Sequence, residues 1–157
     1  MKKIYIGESK YAGKGVFAII NINKGETIFI VKGENKYFVP QNEADALSGD
    51  RWIAIDKNKW IEPYDSNPWF YMNHNCTPNS GIKGRVTLCA MRDIKKGEEI
   101  TLDYSSNEIE PLWWMECSCD SKNCRKKIRG AKATDVSIIE KYLPFVSNYV
   151  KKEIFNS

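Results

Sequence analysis

The sequence contains no apolar run near the roughly 20 residues that a membrane span requires. Its opening, Met1-Lys2-Lys3 before Ile4-Tyr5-Ile6 and then Gly7-Glu8-Ser9-Lys10, lacks the apolar core of a secretory leader. The expectation is an intracellular chain, cytoplasmic or nuclear, with no membrane partner. Charge of one sign is also scarce. The 24 Lys and Arg against 20 Asp and Glu leave a formal +4 over 157 residues, far from the dense positive charge of a dedicated DNA-binding domain. Histidine occurs once, as His74, and the five cysteines are an odd number, so in a chain without an export signal a disulfide framework is a poor explanation for them. No low-complexity linker divides the chain, and its length and 42% hydrophobic content suit one globular domain.

What is present reads first as short strands. Ile4-Tyr5-Ile6, residues 15–20 and residues 27–31 are apolar and β-branched, punctuated by Gly13, Gly15, Gly25 and Gly33, which excludes an all-α fold. Residues 22–28 (Ile-Asn-Lys-Gly-Glu-Thr-Ile) are echoed by residues 94–100 (Ile-Lys-Lys-Gly-Glu-Glu-Ile). Both predict a tight turn with glycine at positive φ, leading into a strand. Residues 41–50, with Ala44, Ala46 and Leu47 between Asn42 and Gly49, suit one or two helical turns. Residues 52–56 and 60–61 predict a second strand pair, and residues 85–91 a longer strand after a turn at Gly81-Ile82-Lys83-Gly84. Beyond Gly130 the spacing turns helical. Thr134 is the expected N-cap for Val136, Ile139 and Tyr142, and Pro144 is expected to open a segment carrying Phe145, Val146, Tyr149 and Val150. This stripe is expected to pack on the domain rather than on a membrane or partner. The fold class expected is mainly β with short C-terminal helices.

Cys117, Cys119 and Cys124 fall within eight residues, in a segment too polar to fold around its own core. A local cross-link is the natural explanation, and Zn²⁺ asks for four N or S ligands in tetrahedral array. Candidates for the fourth are Cys76, Cys89 and His74. Cys89 sits in an alternating strand, where a buried thiol needs no metal, whereas Cys76 lies in a polar, turn-favouring loop of residues 73–79. Cys76 is therefore the choice. An iron–sulfur cluster uses the same thiolates and is left open by ligand type. A closed four-ligand zinc site would be structural, and would tie the cysteine segment down as a lid over the loop at Asn73 and His74.

These residues resemble a SET-domain protein lysine methyltransferase. The resemblance runs over nearly all of residues 1–130 and rests on four pieces in family order: Gly13-Lys14-Gly15-Val16-Phe17-Ala18, Asn73-His74-Asn75-Cys76-Thr77-Pro78-Asn79, the segment 97–104 ending in Asp103-Tyr104, and Cys117 to Cys124 followed by Arg125. It implies small curved sheets with a knot-like crossing. The implied organisation is a SET domain over residues 1–110, a post-SET zinc-binding segment over 111–130 and a helical extension over 131–157. It also implies S-adenosylmethionine as cofactor, structural zinc on Cys76, Cys117, Cys119 and Cys124, and methyl transfer to a lysine of a histone or other basic protein.

Residue by residue, the resemblance makes Tyr104 catalytic, with Tyr71 shaping the same pocket. Gly13, Lys14, Gly15, Asn73 and His74, together with Tyr104, become cofactor-binding residues. Leu102, where relatives carry Phe or Tyr, would leave a pocket permissive for a second or third methyl group. Trp52 is assigned to the lysine channel, and Ile128, Trp113 or Trp114 to the adenine ring. A lysine near pKa 10.4 is almost wholly protonated at neutral pH, so an aromatic channel beside a sulfonium must favour the neutral amine. The six cations between Lys122 and Lys132 are read as a solvated rim, with nucleic-acid contact less favoured. The alternative function is a non-catalytic SET-like zinc-binding interaction module.

Overall fold

The computed structural model describes residues 2–48 and 51–156. Gly49, predicted to close a helix, lies outside them. The elements in chain order are β1 (Ile4–Glu8), β2 (Lys14–Ala18), β3 (Thr27–Ile30), β4 (Gly33–Tyr37), α1 (Glu43–Ser48), β5 (Ile53–Asp56), β6 (Lys59–Pro63), β7 (Asn73–His74), β8 (Ser80–Lys83), β9 (Thr87–Ala90), β10 (Glu99–Leu102), β11 (Trp114–Glu116), β12 (Lys127–Arg129), α2 (Val136–Glu140) and α3 (Asn148–Phe155). The strands assemble into small sheets ordered β1-β2-β10-β7, β3-β9-β8 and β4-β6-β5, with β11 and β12 as a separate hairpin. This is a mainly β fold with short C-terminal helices, as the sequence predicts.

The two echoed segments face each other. Ile22 and Ile94 exchange both backbone hydrogen bonds at 2.8 Å, and each turn is capped from the other side: Asp93 accepts from the Lys24 N–H, and Asn21 from the Lys96 N–H, both at 2.8 Å. Gly25 (φ 85°) and Gly97 (φ 84°) occupy the left-handed region that a side chain disfavours. The two turns lead into β3 and β10, which belong to different sheets but contribute to one core, in which Ile22, Leu88, Ile94, Ile100 and Leu102 are fully buried.

Gly81 and Ile82 are not a turn but part of β8, paired with Cys89 and Leu88. A Cβ on Gly81 would sit 2.4 Å from the Phe145 carbonyl oxygen, so the glycine admits a neighbouring backbone. Thr134 ends a one-turn 3₁₀ helix (Ala131–Ala133), and the N-cap of α2 is Asp135. Pro144 opens no helix, because Ser147, whose hydroxyl accepts from the Val150 N–H at 3.2 Å, caps α3. The helical stripe faces inward. Ile139, Val146 and Val150 are fully buried with Ala54, Trp60, Ile109 and Ala131, each such aliphatic contributing about 1.5–3 kcal/mol.

Candidate active site and metal centre

The loop predicted at Asn73 and His74 is an extended strand. It pairs in parallel with the end of β10, Asn73 facing Thr101 and His74 facing Leu102, and the Asn75 N–H bonds the Leu102 carbonyl at 3.0 Å. This crossing brings Tyr104 against residues 72–74. Its hydroxyl donates to the Met72 carbonyl at 2.5 Å and its N–H to His74 Nδ1 at 3.1 Å. Asp103 N-caps the one-turn 3₁₀ helix Tyr104–Ser106 by accepting from the Ser105 N–H.

Asp103 is wholly buried and is the hub of a charged network. Oδ1 accepts from Arg125 Nη2 at 2.5 Å, and Oδ2 from the Tyr142 hydroxyl at 2.7 Å. Burial and the neighbouring carboxylate push the Tyr142 hydroxyl far up, so it stays a donor. The carboxylate before Tyr104 therefore ties together the cysteine segment, through Arg125, and the C-terminal extension, through Tyr142.

The cysteines converge beside this crossing. Sγ of Cys117 lies 4.0 Å from that of Cys76 and 3.8 Å from that of Cys124. Tetrahedral zinc with Zn–S bonds of about 2.3 Å holds its sulfurs about 3.8 Å apart, so these two spacings suit the metal. His74, Cys76, Cys117 and Cys119 also have their ligand atoms within 4.8 Å of one another. The hydrogen-bond network distinguishes the imidazole from the thiols. Burial lowers the His74 pKa to about 4, so the ring is neutral at physiological pH. With Nδ1 accepting from Tyr104, the proton belongs on Nε2, which lies 3.3 Å from Cys76 Sγ and can only donate to it.

Burial pushes the Cys76 and Cys117 thiols up. It opposes ionisation of Cys119 as well, but the Cys76 and Ser121 N–H groups and the adjoining thiols bring that group down to about 7. So dense a set of sulfurs cannot all ionise without a cation, which a divalent metal supplies. Cys89 stands apart, buried in β9.

Three spaces share walls, and Arg51 borders all of them. A cleft of about 430 Å³ is bounded by Tyr11, Ala12, Asn73, His74, Tyr104 and residues 113–119, a size and aromatic lining suited to a nucleoside-sized cofactor. Trp114 is clamped between the Lys127 ammonium, 4.1 Å from its ring, and Glu43, which accepts from its indole N–H at 2.7 Å. Tyr104, Trp113 and Arg51 also border a narrow space of about 20 Å³ with Trp52, Trp69, Met72, Asn107 and Glu108. Trp52 and Arg51 in turn border a groove of about 420 Å³ edged by Glu34, Glu62 and Asp65.

Of the residues singled out in the sequence, Asn73, His74 and Tyr104 line the cleft, as do Trp113 and Trp114, and Trp52 lines the narrow space. Gly13, Lys14 and Gly15 stand behind the cleft, whose wall is formed instead by Tyr11 and Ala12. Gly15 makes room for Glu99, whose carboxylate would be 2.2 Å from an added Cβ and which accepts from Asn73 Nδ2 at 2.8 Å and from Ser9. Tyr71 packs against the core edge-on to Phe70. Leu102 is fully buried in the core and borders neither cleft nor narrow space. Ile128 is likewise fully buried, behind the cysteines. Arg51, Asn107 and Glu108 escaped notice in the sequence, where no motif includes them. Among the six cations, Arg125 pairs with Asp103, Lys127 covers Trp114 and Lys132 pairs with Glu153 at 2.8 Å. The solvated-rim reading suits what remains.

A β fold of small sheets, crossed at an Asn-His strand and an Asp-Tyr strand, with a cysteine cluster against the crossing, defines a class of methyltransferase. The family model of the SET domain matches residues 13–105, more than half of the sequence. The chain belongs to the SET-domain family, which uses S-adenosylmethionine. Its relatives include the variant-silencing SET domain-containing protein of Plasmodium falciparum, 29% identical over 99% of this chain and 7% of the relative. Another is the H3 lysine-9 specific histone-lysine N-methyltransferase of Fusarium mangiferae, 29% identical over 73% of this chain and 45% of the relative. A crystal structure of a P. falciparum protein provisionally assigned as a histone methyltransferase matches with a TM-score of 0.50 and 28% identity, covering 66% of this chain and 94% of that one. The chain spans less than half the length of these two curated relatives. No helix among the described residues is long and apolar enough to cross a membrane.

Proposed function

We propose that this chain transfers methyl groups from S-adenosylmethionine to a lysine side chain of a protein. The observation that carries the reading is a set of adjoining spaces: a nucleoside-sized cleft and an aromatic passage that share Tyr104, and a carboxylate-edged groove that shares Arg51 and Trp52 with the passage. When bound, the cofactor supplies an electrophilic methyl group on a sulfonium. The cleft walls, Tyr11, Ala12, Asn73, His74, Tyr104 and Trp113, hold it there. The backbone between Ala12 and Gly15 is braced by Asn73, whose amide reaches the Lys14 carbonyl at 3.1 Å.

Trp52, Trp69 and Trp113 desolvate the incoming amine, which favours its neutral form. The Tyr104 hydroxyl, fixed by the Met72 carbonyl, orients the reacting groups at the junction, a role worth orders of magnitude in rate when the bound geometry is near attack. Tyr71, behind this wall, supports it by packing. Cys76, Cys117, Cys119 and Cys124 hold a structural zinc, and His74 buttresses it by donating Nε2–H to Cys76 while anchoring Tyr104 through Nδ1. The metal thereby fixes residues 113–119 as one side of the cleft.

The groove offers a basic segment around the target lysine Asp65, together with Glu34 and Glu62, which are shared with Lys36. A histone is the favoured substrate class, on the strength of the names borne by the relatives, and with it a nuclear location. The test is calorimetric titration with S-adenosylmethionine, followed by labelled methyl transfer onto a whole-cell protein extract and a peptide array. One equivalent bound and label recovered in methyl-lysine support the reading. Absence of binding leaves the chain as a non-catalytic zinc-binding module.

A further inference from the structure

The narrow space beyond Tyr104 contains a polar atom that the protein itself does not satisfy. Asn107 ends the one-turn 3₁₀ helix that begins at Tyr104, and its N–H bonds the Tyr104 carbonyl at 3.1 Å. In a 3₁₀ turn, residues three apart lie on one edge, so both side chains face the same passage, and both line it. Asn107 is only 6% exposed. Its amide nitrogen reaches the Trp52 carbonyl at 3.4 Å, which orients the side chain and leaves Oδ1 buried with no hydrogen-bond partner. Buried acceptors almost always have a donor. The neighbouring Glu108 carboxylate is engaged by the Glu110 N–H at 2.9 Å. The remaining walls are Trp52, Trp69, Met72 and Trp113, which are apolar or aromatic, and Arg51 at one edge.

We infer that Asn107 Oδ1 accepts a hydrogen bond from the ε-nitrogen of the substrate lysine and limits the number of methyl groups it receives. The inference rests on the methyl-transfer reading. Each transfer forms an N–C bond as the C–S⁺ bond breaks, the electron pair leaving with sulfur, and the product ammonium releases one proton to water before another round. The attacking amine points its lone pair at the methyl carbon and keeps its N–H groups for the walls. Lysine offers two and monomethyl-lysine one, so Oδ1 can hold either in line. Dimethyl-lysine offers none, and would press a methyl group against the amide oxygen. The first two transfers are helped and the third is not, which reverses the permissive pocket expected from Leu102.

The test has two arms. In the first, wild type, Asn107→Leu and Asn107→Asp methylate a whole-cell protein extract with labelled cofactor to exhaustion, and total hydrolysis separates mono-, di- and trimethyl-lysine. Asn107→Leu removes the acceptor and should raise the tri-to-dimethyl ratio about tenfold, whereas Asn107→Asp keeps an oxygen and should leave the ratio near wild type. A rise below threefold in Asn107→Leu, with labelled lysine present, overturns the inference while the methyl-transfer reading stands. Thermal unfolding of each variant separates a folding defect from a change of product. In the second arm, the Asn107 side-chain amide resonance is followed in wild type. It should shift with n-butylamine and not with N,N,N-trimethylbutylammonium. Equal response to both, or to neither, overturns the inference without reference to catalysis. No labelled lysine in any protein refutes the methyl-transfer reading instead, and the amine arm then decides alone whether Asn107 binds an amine.

Discussion

Replacing Tyr142 by phenylalanine deletes one oxygen some forty residues after Asp103, yet it should weaken the whole domain. Asp103 is 0% exposed. Oδ1 has Arg125 and the Ser105 N–H, but Oδ2 is served by the Tyr142 hydroxyl at 2.7 Å. A hydrogen bond to a buried charge is worth about 1.5–3 kcal/mol, and a buried group stripped of its partner bears the desolvation cost. Taking about 2 kcal/mol, and about 2–4 °C per kcal/mol for a domain of this size, Tyr142→Phe should lower the melting temperature by about 6 °C. The measurement is scanning calorimetry at saturating zinc, so that metal loss does not enter. A double-mutant cycle with Asp103→Asn should show a coupling energy above about 1 kcal/mol. Additive effects, or a loss below about 0.5 kcal/mol for Tyr142→Phe alone, would refute the view that the extension is tied to the site through Asp103.

Elemental analysis should find one zinc per chain. Cys124→Ser should lose it, while Cys89→Ser should keep it, and His74→Asn should keep a thiol-bound metal because His74 Nε2 carries a proton toward Cys76. Loss in His74→Asn with retention in Cys124→Ser would exchange the two assignments. Gly81→Ala should destabilise the protein by more than about 2 kcal/mol in urea unfolding, since the added Cβ meets the Phe145 carbonyl oxygen at 2.4 Å and must displace backbone. Unchanged stability would mean that the extension is free to move away from β8.

Features fixed by local chemistry were legible in the sequence. Gly25 and Gly97 marked turns because only a residue without Cβ takes their φ cheaply, and the spacing of Cys117, Cys119 and Cys124 marked a cross-link. Features fixed by distant partners were not. Asn73 and His74 look like a polar loop, and they are extended because β10 supplies the pairing. Gly81 looks like a turn because nothing local reveals that Phe145 lies against it. Gly15 looks like a backbone approach to a ligand, whereas the space it leaves belongs to Glu99. Asn107 carried no signal of its own. Its meaning depends on a one-turn helix after Tyr104 and on Trp52 lying opposite, two facts that only the fold brings together.

Tyr104 stands where cleft and passage meet. The direct measurement is the initial rate of labelled methyl incorporation into lysine by wild type and Tyr104→Phe, matched for zinc content and for cofactor affinity by calorimetry. Loss of an oriented hydroxyl at a reacting centre should cut the rate about 10²-fold with cofactor affinity little changed. A Tyr104→Phe protein that labels lysine at the wild-type rate would contradict the account.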